Sequence, residues 1–97
     1  MLRQVLKENP NDAFARYGLA MEYSKSGAIE SAMTEFNRLL ELHPDYTAGY
    51  FMAAQALASA GRTGEARQML HAGIASAART GNAHAKSEME AMLAELG

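Results

Sequence analysis

The sequence predicts an all-α fold in which antiparallel helix-turn-helix pairs stack side by side, and three observations support this prediction. The composition is 48% hydrophobic with only two prolines and little β-branched content, and alanine, the best helix former, is abundant. Several segments show the 3.6-residue apolar period of helices. Above all, small and turn-forming residues recur at an offset of 34 positions: Pro10 and Pro44, Ala20 and Ala54, Gly27 and Gly61, Ala32 and Ala66. A fixed offset of this size is typical of a stacked helical array.

A short helix and a longer one are predicted in the first quarter of the chain. The short helix covers residues 1–8 and places three apolar side chains, Leu2, Val5 and Leu6, on one face. The longer one covers residues 12–25 and is apolar on almost all sides, so it must be covered on two sides. Asn11 and Asp12 are both suitable N-caps for it.

The same arrangement then recurs. Gly27 suits a left-handed residue after the second helix, and the apolar spacing from Ile29 to Leu40 predicts an amphipathic helix over residues 28–42. Pro44 ends that helix, because a residue before proline avoids helical geometry. Residues 45–60 are predicted to form the next helix, and the stretch from Tyr46 to Ala60 carries no charge, which is expected of the middle layer of a stack.

The last two helices complete the prediction. Residues 61–64 form a turn, and Thr63 is expected to cap an amphipathic helix over residues 64–79. After Gly81 and Asn82, a final helix over residues 83–96 has an apolar side and a charged side with Glu88, Glu90 and Glu95. An array requires an end helix with one solvent-exposed face, and this helix fits that requirement.

The small and aromatic positions of the two units resemble the tetratricopeptide repeat over residues 1 to about 80. The matching residues are Leu19, Ala20, Tyr23, Ala32, Phe36 and Pro44 in the first full unit, and Tyr50, Ala54, Leu57, Ala66, Leu70 and Gly73 in the second. The alanines are expected where paired helices cross closely. The units depart from the family pattern at Arg16, where tryptophan is usual, and at Leu39, Ala53 and Ala78.

This resemblance implies a short right-handed solenoid in which the chain is a single domain of residues 1–97. It divides the chain into a partial repeat (1–10), full repeats (11–44 and 45–80) and a C-terminal capping helix (82–96). In the family, the first helix of each pair lines the concave surface. The residues expected to project there and to form a partner-binding groove are Phe14, Tyr17, Met21, Lys25, Phe51, Gln55 and Ser59. For several of them, and for Phe14 in particular, packing between helices is the alternative.

Other classes of partner and chemistry have little support in the sequence. The net charge is −2 and the basic residues are scattered, so nucleic acid is not an expected partner. The histidines, His43, His71 and His84, show no metal-ligand spacing, and no nucleophile–base pair or cofactor loop is present. We therefore expect no catalytic residue, no metal and no cofactor, and neither a signal peptide nor a membrane span. The absence of cysteine fits a cytoplasmic location.

The leading functional hypothesis is a protein-interaction module that holds a peptide or helix of a partner protein in an apolar and aromatic groove. Some members of the family clamp the terminal carboxylate of chaperone tails with Lys, Arg and Asn. The matching positions here are Tyr17, Met21 and Met52, so that ligand is not implied. The alternative hypothesis is a structural segment of a longer helical-repeat assembly, or a unit that forms a weak homo-oligomer.

Overall fold

The computed structural model describes all 97 residues and contains six α-helices and no strand. The helices are α1 (Leu2–Glu8), α2 (Ala13–Lys25), α3 (Ile29–Leu42), α4 (Thr47–Ser59), α5 (Thr63–Thr80) and α6 (Ala83–Leu96). The predicted all-α fold is therefore confirmed, and each helix ends close to its predicted limits.

Side-chain caps and left-handed glycines set several of these limits. The Asp12 carboxylate accepts a hydrogen bond from the backbone N–H of Ala15 at 2.9 Å, so Asp12, and not Asn11, caps α2. Gly27 and Gly61 both have φ of 78°, a conformation that other residues avoid, and they turn the chain after α2 and α4.

The cap predicted at Thr63 is wrong. Thr63 is the first residue of α5, Arg62 precedes the helix, and no side chain caps it. The cause lies in the turn: the N–H of Arg62 bonds back to the carbonyl of Leu57 at 2.8 Å and closes α4, while the carbonyl of Arg62 already accepts the first helical bond of α5 from the N–H of Ala66 at 3.0 Å. The guanidinium of Arg62 also binds Glu65 in the first turn of α5 and Glu30 at the start of α3, each at 2.7 Å.

Alanine contacts bring the helices of each pair together. Ala20, Ala32, Ala54 and Ala66 are all fully buried, and they belong to α2, α3, α4 and α5 respectively. Phe36 of α3 and the equivalent Leu70 of α5 are also fully buried and fill the wider space beside these contacts. Burial of one such large side chain stabilises the fold by about 1.5–3 kcal/mol.

The pairs step sideways and do not close into a bundle. Each helix contacts the next along the chain, and in addition α2 contacts α4 and α4 contacts α6. The odd-numbered helices make no such contact with one another. The even-numbered row is therefore the more closely spaced side of a flattened body of 39 × 30 × 17 Å, and it forms the concave face.

The last helix packs on the second pair around one fully buried side chain, and one arginine binds its C-terminal end. Met89 of α6 is fully buried against Gly73 of α5, where a Cβ atom would lie only 2.5 Å from the methionine sulfur. Arg67 of α5 donates hydrogen bonds to the carbonyls of Leu96 at 3.0 Å and Gly97 at 2.7 Å. α6 is thus fixed beside α4 and extends the concave row by one helix.

Candidate functional site: the concave groove

Three depressions follow α4 along the concave face, and together we call them the concave groove. The first has a volume of about 250 Å³ and is lined from α2 and α4 by Tyr17, Thr47, Ala48, Phe51 and Met52, and from the α6 side by Asn82, His84, Ala85 and Glu88. The second, of about 320 Å³, is lined by Phe51, Gln55, Glu88, Ala91, Met92 and Glu95. Phe51 and Glu88 line both, so they form the boundary between the two.

The third depression lies at the other side of α4, against the turn between α2 and α3. It has a volume of about 320 Å³ and is lined by Ser24, Gly27, Ile29, Met52, Gln55, Ala56, Ser59 and Ala60. Met52 joins it to the first depression and Gln55 joins it to the second. The uncharged helix α4 therefore provides a continuous floor, apolar at Phe51 and Met52 and polar at Gln55 and Ser59, with depressions on both flanks.

The structure places the seven predicted groove residues in two groups. Four of them line the depressions: Tyr17, Phe51, Gln55 and Ser59. Met21 is half-buried and packs against the core cluster of Ala20 and Leu57. Phe14, 75% exposed, and the exposed Lys25 line none of the three depressions. The packing alternative for Phe14 is wrong, since most of its ring is in solvent.

Sequence reasoning missed the α6 wall of the groove. His84, Glu88, Met92 and Glu95 all line the depressions, whereas the sequence pattern places the glutamates on a solvated face. The spacing of His84, Glu88, Ala91 and Glu95 along the chain (i, i+4, i+7, i+11) places them on one face of a helix. That spacing was the available indication, but the position of α6 beside α4 was needed to interpret it.

The aromatic side of the first depression is held in place by a second tyrosine. The rings of Tyr17 and Tyr46 lie 5.4 Å apart between centroids at an angle of 46°, a geometry typical of favourable aromatic pairs. Burial, and then the proximity of Tyr46, raises the pKa of the Tyr17 hydroxyl above its ordinary value of 10.0. Burial and the carboxylate of Asp12 raise the pKa of Tyr46 in the same way. Both rings are therefore neutral near pH 7.

The charges that line the groove are acidic. The carboxylates of Glu88 and Glu95 belong to its lining, whereas no lysine or arginine does. Glu88 Oε1 lies 3.1 Å from Nε2 of His84, and Glu95 makes no ion pair. The arginines that form ion pairs do so elsewhere: Arg16 with Glu35, Arg62 with Glu30 and Glu65, and Arg79 with Asp45.

The chemistry available in the groove is that of non-covalent binding. It combines aromatic and methionine surface, which is typical of interface anchors, with a few polar groups that can fix the direction of a ligand. The structure shows no cluster of three or more His, Asp or Glu that could hold a metal ion. None of its helices combines the length and the apolar character needed to cross a bilayer.

Comparison with known proteins agrees with this architecture. The model of the family described as tetratricopeptide repeat matches residues 1–50 and 25–95. A TPR repeat-containing protein of Pseudomonas aeruginosa is 34% identical over 95 residues, which is 98% of this chain and 90% of that protein. An uncharacterized protein of Methanocaldococcus jannaschii is 36% identical over 70 residues, which is 72% of this chain and 81% of that protein. The solution structure of a tetratricopeptide repeat domain protein from Salinibacter ruber has a TM-score of 0.83 and 30% identity, with 91% of this chain and 89% of that one covered.

Proposed function

The chain belongs to the tetratricopeptide repeat family, and we propose that it binds a peptide or helix of another protein in the concave groove. Domains of this family generally mediate protein–protein interaction. The observation that supports a site on this face is the first depression, where Tyr17, Phe51 and Met52 surround a space of about 250 Å³. An aromatic or aliphatic side chain of a partner would enter it as an anchor.

The energetics favour several anchors along α4. Burial of one large apolar side chain contributes about 1.5–3 kcal/mol before ordering costs, so one anchor alone gives weak binding. Three depressions on the flanks of one helix provide room for anchors at successive positions of a bound segment. Because α4 is well packed against the core, little backbone ordering cost falls on this chain when a segment binds.

A peptide selection tests the proposal. Random linear peptides are selected on the immobilised chain, and single synthetic peptides are then titrated by fluorescence anisotropy. Phe51→Ala and Tyr17→Ala should each weaken binding about tenfold or more, which is the loss expected when a central anchor contact is removed. Phe14→Ala is the matched control, since this exposed ring lines no depression and its removal should leave the affinity unchanged. If all three variants bind with the affinity of the wild-type chain and keep its helical circular dichroism, the concave groove is not the site.

The structural alternative has one observation in its favour. No residue of α1 is buried, and the apolar side chains of Leu2, Val5 and Leu6 remain half-buried. This face is the part of the surface that a second copy could cover in a weak homo-oligomer. Sedimentation velocity at increasing concentration tests this: self-association through α1 should be abolished by Val5→Ser with Leu6→Ser, and a constant monomer mass would exclude it.

A further inference from the structure

We infer that the segment bound in the concave groove carries an arginine or lysine beside its apolar anchor, with the cation at Glu88 or Glu95. This inference rests on the proposed function and names the chemistry of the partner. It derives from the position of the two carboxylates relative to the ring of Phe51, and from the charges of the side chains around them.

The two depressions between α4 and α6 have the composition that a long basic side chain matches. Each has an apolar wall that includes Phe51 and a carboxylate: Glu88 in the first, and Glu88 with Glu95 in the second. Arginine and lysine bury an aliphatic stem along apolar surface and keep the charged group at the edge. A guanidinium or ammonium group above an aromatic ring also gains cation–π attraction.

No basic side chain of the chain itself neutralises these carboxylates. Glu95 has no ion-pair partner, and the one partner of Glu88 is His84, whose side chain is 86% exposed. Lys86 lies on the same helix but lines neither depression, and Lys25 lines none of the three. Arg67, the arginine nearest to the end of α6, is occupied by the carbonyls of Leu96 and Gly97.

Charge complementarity therefore favours the binding of basic segments over that of neutral or acidic ones. A neutral apolar segment that covers Phe51 would take Glu88 and Glu95 partly out of water without a compensating bond, which is unfavourable. An acidic segment would be repelled in addition. A basic side chain replaces the lost hydration with a charge-assisted hydrogen bond, and it accelerates association at low salt.

The experiment compares the wild-type chain with Glu88→Gln, Glu95→Gln and the double variant, at about pH 8, where imidazole groups are ordinarily uncharged. Glu90→Gln is the matched control, because Glu90 is exposed on the same helix and lines neither depression. Random linear peptides are selected on each immobilised chain. The peptides selected on the wild type are then titrated by anisotropy at low and high NaCl.

We expect peptides selected on the wild type and on Glu90→Gln to be enriched in Arg and Lys over the input library. The double variant should lose that enrichment and keep the preference for aromatic and aliphatic residues. It should also bind the wild-type peptides about three- to tenfold more weakly at low salt, and the difference should shrink at high salt.

Two results would overturn the inference, and they are distinguishable from a failure of the proposed function. If the selected peptides lose affinity for Phe51→Ala but are not enriched in Arg and Lys, the concave groove is the binding site and the inferred basic partner is wrong. Basic enrichment that persists in the double variant would assign the preference to other acidic groups. If the chain selects no peptide, or if the selected peptides bind Phe51→Ala as tightly as the wild type, the proposed function is wrong and this inference is wrong with it.

Discussion

Arg16 and Tyr50 stand 34 residues apart at equivalent positions of the two repeats, and they donate equivalent hydrogen bonds from different chemical groups. Nη2 of Arg16 donates to the carbonyl of Pro10 at 2.8 Å, and the hydroxyl of Tyr50 donates to the carbonyl of Pro44 at 2.6 Å. Each bond joins the first helix of a pair to the turn that precedes it. The contact is thus repeated although the residue type is not.

This equivalence predicts that the residue types found in the second repeat can replace those at the same positions of the first repeat. Arg16 also pairs with Glu35 at 2.7 Å, with both side chains less than 20% exposed, and the residue equivalent to Glu35 is Met69. The double variant Arg16→Tyr with Glu35→Met should retain the free energy of unfolding within about 1 kcal/mol, or increase it, because apolar replacement of a largely buried ion pair is often neutral or stabilising. Urea denaturation followed by circular dichroism measures it.

The single variant Glu35→Met is the informative comparison, since it leaves the guanidinium of Arg16 without its carboxylate. We expect it to lose about 1–3 kcal/mol. Arg38→Gln, at an exposed position without any ion pair or side-chain hydrogen bond, should change stability by less than about 0.5 kcal/mol. A loss in the double variant equal to the sum of the losses in Arg16→Tyr alone and Glu35→Met alone would show that the two residues are not coupled.

Gly73 is expected to tolerate no side chain. A Cβ atom there would lie 2.5 Å from the sulfur of Met89 and 2.6 Å from Cβ of Tyr50, so Gly73→Ala must force α4, α5 and α6 apart. We expect a loss of about 1–3 kcal/mol in the free energy of unfolding. Gly64→Ala is the matched control in the same helix: nothing lies within 4 Å of its Cβ, and it should stabilise the chain by about 0.4–1 kcal/mol. Equal effects at the two positions would refute the close packing.

The neighbours Asn11 and Asp12 should differ sharply in their effect on α2. Asp12→Ala removes the hydrogen bond to the N–H of Ala15 and should lower the free energy of unfolding by about 0.5–2 kcal/mol. The Asn11 side chain makes no hydrogen bond, and only its backbone carbonyl is engaged, by His43 at 2.9 Å. Asn11→Ala should therefore have little effect on the thermal midpoint, and a comparable drop in both variants would rule out this assignment of the cap.

The tyrosine pair beside the concave groove predicts a loss of stability at alkaline pH. The folded pKa of Tyr17 and Tyr46 is raised above 10.0, so the folded state favours the protonated hydroxyls. Their contribution is complete below the unfolded pKa of about 10 and is lost as the pH rises through the folded value. Tyr17→Phe keeps the ring, removes one titrating group, and should lose less stability than the wild type between about pH 9 and pH 11. Identical losses in urea denaturation would exclude a role for Tyr17.

The sequence was sufficient to predict the helices and the sites where they cross. Ala20, Ala32, Ala54 and Ala66 are small residues at repeated positions, and a requirement for close approach leaves little choice of residue type, so the pattern is visible. The bonds of Arg16 were not predictable, because its partners lie on a preceding turn and on α3.

The α6 wall of the groove was unpredictable for a related reason. The register of this helix depends on the fit of Met89 against Gly73 and Tyr50, a tertiary contact that no local period records. Glu88 and Glu95 consequently looked like solvated charges, although the placement of α6 brings them beside Phe51. Phe14, which the sequence also predicts for the groove, is 75% exposed and lines none of the three depressions.

The central position of α4 has a kinetic consequence. This helix contacts α2, α3, α5 and α6, whereas α1 contacts α2 alone. Fraying of α1 exposes no buried side chain of α1 itself, but opening α4 requires its neighbours on both flanks to separate. Amide protons of α4 should therefore exchange with deuterium last and those of α1 first. The floor of the concave groove then stays folded while the terminal helix opens and closes.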